Sequence, residues 1–217
     1  MSLGLLALAS LAAPAATLVE FDFDDQNSAA SVEAAALLDA GDFTSNNVTD
    51  LGYYHRAGAD FERLLSAWGD DPGEPADSNE YVEFASTVTG ESVTLERFSF
   101  SLQHSAAGRT SSDQIQVAWD LNGGGFQTIG MGGLDVRGED EPLFTYNFLL
   151  GMAPALGDLQ TADVVTFRIY GDLRDDTTAY RFDNVRLFGH GVPLPVPEPS
   201  ALAMLGAALG FAFRRRR

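Results

Sequence analysis

VVTFRIYG, residues 164–171, is the stretch whose reading decides the fold. Successive side chains of an extended chain point to opposite faces, so Val165, Phe167 and Ile169 share one side while Thr166, Arg168 and Tyr170 share the other. An apolar face backed by a polar one marks an antiparallel strand that covers a core on one side only. Working outward, the same β-branched and aromatic bias recurs in LVEFDFD (18–24), YVEFASTV (81–88), VTLERFSFSLQ (93–103) and QIQVAWDL (114–121). FQTIG (126–130), LFTYNFLL (143–150) and YRFDNVRLF (180–188) complete the series, with glycine and Asp/Asn between the runs. Such a series predicts an all-β fold, an antiparallel two-sheet β-sandwich of jelly-roll-like form.

Two segments read as short helices instead. Phe61, Leu64, Leu65 and Trp68 fall on one helical face behind Asp60, a residue suited to cap it. SVEAAALLDAG (31–41) is rich in alanine and leucine and ends at Gly41, as a helix does.

In YRFDNVRLF, Tyr180 and Phe182 occupy even positions whereas Val185 and Leu187 occupy odd ones. The alternation therefore slips by one residue at Asp183 and Asn184, which is how a β-bulge shows in a sequence.

Among 217 residues, 31 acidic side chains face 13 basic ones, all of them arginine, for a formal charge of -18. Without the segments before Leu18 and after Val196, which hold Glu198 and four arginines, the body retains 30 acids and 9 arginines, or -21. That surface disfavours nucleic acid and anionic lipid and attracts divalent cations; it also serves plain solubility. With no cysteine there is no disulfide, thiol nucleophile or Cys-based metal site.

The ends differ from the body. MSLGLLALASLAAPAAT has an apolar run from Leu3 to Ala13 and small residues at Ala13, Ala15 and Ala16, so residues 1–17 are expected to be a signal peptide, although no Lys or Arg precedes the run. Residues 18–189 form the sandwich body and 190–196 a Pro-rich linker. The remainder, 197–217, begins with proline-glutamate-proline and closes with an apolar run from Ala201 to Phe213 and four arginines. Thirteen apolar residues rise only about 20 Å as a helix, short of the roughly 30 Å hydrocarbon core, so Pro199, Ser200 and snorkelling arginines would have to help hold a short transmembrane helix. Arginines on that side place the C-terminal end in the cytoplasm and the body outside.

This tail resembles the PEP-CTERM sorting signal of Gram-negative bacteria. The matching residues are Val196, Pro197, Glu198, Pro199 and Ser200, the apolar stretch, and Arg214, Arg215, Arg216 and Arg217. The resemblance implies processing by exosortase, a membrane protease, after signal peptidase has acted. It also implies transient insertion in the inner membrane and delivery to the cell surface or an extracellular polysaccharide matrix. The body runs are similar to the extracellular sandwich of many PEP-CTERM proteins and to jelly-roll carbohydrate-binding modules. In such modules an Asp at the place of Asp183 often helps hold a structural calcium with acids of the first strand, where this chain has Asp22 and Asp24. Ca²⁺ takes six to eight oxygen ligands. The expectation is that Asp22, Asp24 and Asp183 join the two ends of the body through it; the alternative is an acidic edge that discourages strand pairing.

Sugar binding calls for exposed rings and loop carboxylates, since sugar faces stack on aromatics while hydroxyls need acceptors. Trp119 is in phase with Ile115, Val117 and Leu121 and reads as core. Trp68, ahead of the acidic stretch GDDPGEPADSNE, together with Tyr53 and Tyr54, is the candidate platform; packing under a loop is the alternative. LNGGGF (121–126) lacks a following Lys and helix and reads as a hairpin, not a phosphate loop. His55, His104 and His190 stand apart, with no HExxH or GxSxG pattern, and acids are too numerous for any pair to single itself out as a glycosidase couple. Asn47-Val48-Thr49 is a formal glycosylation sequon.

The sequence is thus read as an exported, non-enzymatic surface or matrix protein with a structural or adhesive role around exopolysaccharide. The alternative is a lectin-like glycan-binding module, supported by the fold resemblance and by Trp68 ahead of its acidic stretch. A hydrolase is third and would need a cleft flanked by two carboxylates.

Overall fold

The structure, a computed structural model, describes residues 15–55, 61–66, 80–104, 114–133, 143–172 and 179–194. Its strands begin with β1 (Ala16–Phe21), β2 (Val32–Glu33), β3 (Leu38–Ala40), β4 (Thr44–Asn46), β5 (Thr49–His55) and β6 (Phe61–Ser66). There follow β7 (Tyr81–Val88), β8 (Ser92–His104), β9 (Gln114–Leu121), β10 (Gln127–Gly133) and β11 (Phe144–Leu149). Two short 3₁₀ turns, Leu150–Met152 and Pro154–Gly157, precede β12 (Leu159–Gln160), β13 (Val164–Asp172) and β14 (Ala179–Val192).

The strands form two antiparallel sheets, as expected. Sheet A runs β11-β8-β14-β1-β2, with β12 also on β8 and the β5–β6 pair also on β14. Sheet B runs β10-β9-β13-β7-β3, with β4 also on β7. Between them lies an aromatic core: Phe167 of β13 stacks on Phe98 of β8 at 5.1 Å and on Phe84 of β7 at 5.6 Å. Phe84 in turn meets Phe21 of β1 at 5.1 Å. Each such ring, fully removed from water, contributes about 1.5–3 kcal/mol.

The bulge read from YRFDNVRLF is present. The β14–β8 register shifts between Asp183 and Arg186, and Asn184 takes φ 50°. Tyr180, Phe182, Val185 and Leu187 are all fully buried, so the slip keeps both halves of the strand facing the core. Its position has a reason: Ala179–Phe182 pairs with β6, whereas Val185–Gly189 pairs with β1. The bulge marks where β14 changes neighbours.

Neither expected helix forms. Phe61–Ser66 is strand β6, paired with β5 and β14, while Asp60 and Trp68 lie outside the described residues. Within 31–41, Val32 and Glu33 pair with Glu20 and Val19, and Leu38–Ala40 pairs with β7. Only one tight turn between them keeps a helical hydrogen bond, Leu38 N–H to the Ala34 carbonyl at 3.0 Å. Alanine's helix preference is a fraction of a kcal/mol per residue, about 0.5, and the ladders outweigh it.

The paired body reaches from Ala16, opposite Gly189, to Val192, opposite Ser92, extending past the expected limits at 18 and 189 on both sides. The expected apolar signal run, the PEP residues, the short helix and the terminal arginines fall outside the described residues. Among the described residues no helix is long and apolar enough to cross a membrane.

Candidate functional site

Strands β7 and β13 lie side by side near the middle of sheet B, in a register that sets Glu83 opposite Arg168. Alternation turns Val82, Phe84, Phe167 and Ile169 into the core and turns Tyr81, Glu83, Thr166 and Arg168 outward. On this outer face Arg168 Nε donates to Glu83 Oε2 at 2.8 Å. The guanidinium lies over two rings, 3.8 Å from the centroid of Tyr81 and 3.8 Å from that of Phe126. Both are within the range of cation–π attraction, about 6 Å. Tyr170 meets Tyr81 edge-on at 5.7 Å. Burial pushes the Tyr81 phenol up and the Glu83 charge adds to it. Burial alone would lower the Arg168 guanidinium, but hydrogen bonding to Glu83 and Tyr170, with their charges, holds it above its usual value.

Phe126 reaches this face from the LNGGGF hairpin. Asn122 and Gly123 take φ 56° and 73°, and Gly124 N–H donates to the Leu121 carbonyl at 3.0 Å. Asn-Gly is the pair best suited to a tight hairpin of positive φ. The carboxylate of Asp120, buried at the end of β9, accepts the N–H groups of Gly123 (2.8 Å) and Gly125. Asn122 exchanges hydrogen bonds with the Val164 backbone at 2.9 and 2.8 Å, and its amide donates to Asp163 at 2.8 Å. The hairpin is thereby fixed to its neighbours, and Phe126 stays 38% exposed at its end.

Beside this cluster lies an open groove of about 360 Å³, walled by Asp42, Thr44, Glu83, Asp120, Phe126 and Arg168. Asp42 stands exposed on the rim between β3 and β4. Such a groove offers a sugar chain an aromatic edge to stack on and carboxylates to accept its hydroxyls. A smaller cavity of about 180 Å³ beside Trp119 is lined by Ile129, Leu149, Met152 and Pro154 and contains no carboxylate.

Of the residues singled out from sequence, those that are described lie elsewhere. Trp119 is core, as expected. Tyr53 is half-buried and packs against the core from β5; Tyr54 is on the same strand with its side chain outside the description, and Trp68 is outside it altogether. The structure does not bring Asp22, Asp24 and Asp183 together as a metal centre, and among the described residues no three His, Asp or Glu side chains do so. Asp22 Oδ1 accepts the Asp24 N–H at 3.2 Å, while the Asp183 carboxylate accepts the Asn184 N–H at 2.6 Å and the Asn184 amide. Asn47 of the sequon is exposed, with φ 53°. Sequence reading overlooked Tyr81, Glu83, Phe126 and Arg168 as a unit. The signal was present in part, since YVEF places Tyr81 and Glu83 on one face and VVTFRIYG places Arg168 on its polar face.

Residues 195–217 match the model of the PEP-CTERM protein-sorting motif, and the chain carries that motif. Among curated proteins none matches the chain. Among solved structures it is similar to a xylan-binding module CBM15, at 15% identity and TM-score 0.45 over 81% of this chain and 99% of that one. It is similar to TmCBM27, a carbohydrate-binding module described for specific mannan recognition, at 16% identity and TM-score 0.44 over 82% and 99%. It also resembles the CBM22-1-GH10 modules of Clostridium thermocellum xylanase 10B, at 12% identity and TM-score 0.44 over 84% of this chain and 30% of that one.

Proposed function

We propose that this is an exported surface protein, processed by exosortase at its C-terminal motif, whose sandwich performs an adhesive role by binding extracellular polysaccharide in the outer groove of sheet B. The route is signal peptidase cleavage, a transient inner-membrane anchor through the last residues, and release to the surface or matrix. The observation that carries the binding half is Arg168, 3.8 Å from the rings of Tyr81 and Phe126 and tied to Glu83, in the wall of a groove of about 360 Å³. A solvent-facing strand position needs no such arrangement for stability: exposed ion pairs are worth about 0–1 kcal/mol, and an exposed ring at a turn is usually avoided. Trp68, Tyr53 and Tyr54 are carried in the same proposal as a second aromatic set. Structural Ca²⁺ is carried only as a separate proposal, tested by whether EDTA lowers the melting temperature.

The test is retardation of the full-length protein in native gels containing the exopolysaccharide of the producing cells. Phe126→Ala is expected to weaken retardation by about 5- to 30-fold, the range of a one-to-two kcal/mol binding anchor, and to leave the melting temperature nearly unchanged. Retardation equal in the wild type and in Phe126→Ala and Arg168→Ala variants would remove the groove from the proposal.

A further inference from the structure

The groove's charge separates polysaccharides into those it can take and those it cannot. Three carboxylates, Asp42, Glu83 and Asp120, border it, against one guanidinium, Arg168. An arginine in a sugar groove ordinarily suggests recognition of an acidic sugar, because its planar fork matches a carboxylate. Here Arg168 is already engaged. Its Nε donates to Glu83, hydrogen bonding to Tyr170 adds to it, and the rings of Tyr81 and Phe126 each lie 3.8 Å from the guanidinium. Its charge is answered first by Glu83, which leaves the other two carboxylates of the groove in excess.

The carboxylates are differently placed. Asp120 is buried under the hairpin and Glu83 is half-buried against Arg168, so their positions are fixed. Asp42 is exposed on the rim, as is Thr44 beside it in the groove wall. Charge of one sign lining a concave surface focuses its field there.

We propose that Asp42 is a specificity-determining residue, and that it makes the groove accept neutral polysaccharide and reject uronate-bearing chains. This rests on the groove being the binding site proposed above. Neutral hydroxyls donate to Glu83 while a sugar face stacks on Phe126, and Asp42 acts through its charge at the rim without holding the neutral chain. A uronate in the same place would meet three carboxylates against one guanidinium that Glu83 already pairs.

The experiment is affinity electrophoresis of the full-length protein in gels containing hydroxyethyl cellulose or galactomannan as neutral probes, and alginate or polygalacturonate as acidic ones, at low and high salt. Retardation by at least one neutral probe and by neither uronate is expected. Asp42→Arg is expected to gain about five-fold or more in retardation by uronate, an effect that salt abolishes, while the neutral probe changes less than about two-fold. Uronate retarding the wild type as well as a neutral probe does, or Asp42→Arg leaving uronate excluded, overturns the inference and leaves the binding site standing. Retardation by no probe at all removes the binding reading and this inference with it. Circular dichroism of Asp42→Arg confirms that the variant is folded, as an exposed rim substitution should be.

Discussion

Glu83 and Arg168 stand directly opposite each other on β7 and β13, and their side chains meet at 2.8 Å on the face turned away from the core. Both are partly exposed, at 30% and 21% of the side chain, so solvent screens the pair. Its share of stability is about 0.2–1 kcal/mol. Glu83→Gln is therefore expected to move the urea midpoint little and to weaken polysaccharide retention several-fold, because Arg168 loses the partner that orients it. A large stability loss with unchanged retention would show the pair to be structural only.

The bulge gives a second prediction. Asn184 holds φ 50°, a left-handed conformation that costs an ordinary L-residue about 1–2 kcal/mol. Its side chain also accepts a hydrogen bond from Arg186 at 2.6 Å, and that guanidinium reaches Glu20 on β1 at 2.7 Å. Asn184→Gly keeps the backbone and loses the side-chain bonds, whereas Asn184→Val loses both and adds β-branched strain. Urea denaturation should rank stability as wild type, then Gly, then Val. A valine variant equal to the glycine variant would show that the conformation carries no strain.

Gly189 supplies a third. A Cβ built there would lie 2.1 Å from the Thr94 carbonyl oxygen on the neighbouring strand β8, a backbone atom that cannot move aside without breaking the ladder. Gly189→Ala is expected to destabilise by about 1–3 kcal/mol or more, the range of overpacking. Gly151 makes a matched control, since a Cβ there meets nothing within 4 Å. Equal thermal unfolding of the two alanine variants would contradict this.

Acid titration supplies a fourth. Asp163 accepts the Gln160 N–H at 2.7 Å and the Asn122 amide at 2.8 Å; the first of these, with the second adding to it, holds its carboxyl below the ordinary value of 3.8. A carboxyl depressed by folding contributes stability that is complete above its unfolded value and is lost as pH falls through the folded one. The stability gap between wild type and Asp163→Asn should thus be constant from pH 5 to 8, about the range where a carboxylate stays ionised, and should narrow below 3.8. A gap that instead opened in acid would reverse the assignment.

The parts of the fold visible in one sequence were those fixed by local alternation. The bulge is the clearest case, because Tyr180, Phe182, Val185 and Leu187 carry the phase slip within nine residues. What failed were segments whose local preference was overruled from a distance: the alanines after Val32 read as helix, yet Val32 and Glu33 are claimed by β1. FERLLS misled for another reason, since Phe61, Leu64 and Leu65 satisfy a helical spacing by coincidence in a strand that pairs on both sides. The groove was hidden because it is a property of register. Glu83, Phe126 and Arg168 become neighbours only once β7, β9, β10 and β13 are aligned, and no spacing along the chain encodes that alignment.

Among the described strands β14 is the last and the longest, and β8 pairs along one side of it while β6 and β1 share the other. Strands that lack a partner gain little until non-local pairing repays the entropy of bringing them together. A chain truncated before Ala179 is accordingly expected to be degraded rapidly by protease, and a resistant fragment of that length would contradict it. Time, then, is built into the topology: as the polypeptide emerges from its first residue onward, sheet A waits for its final segment before it can close.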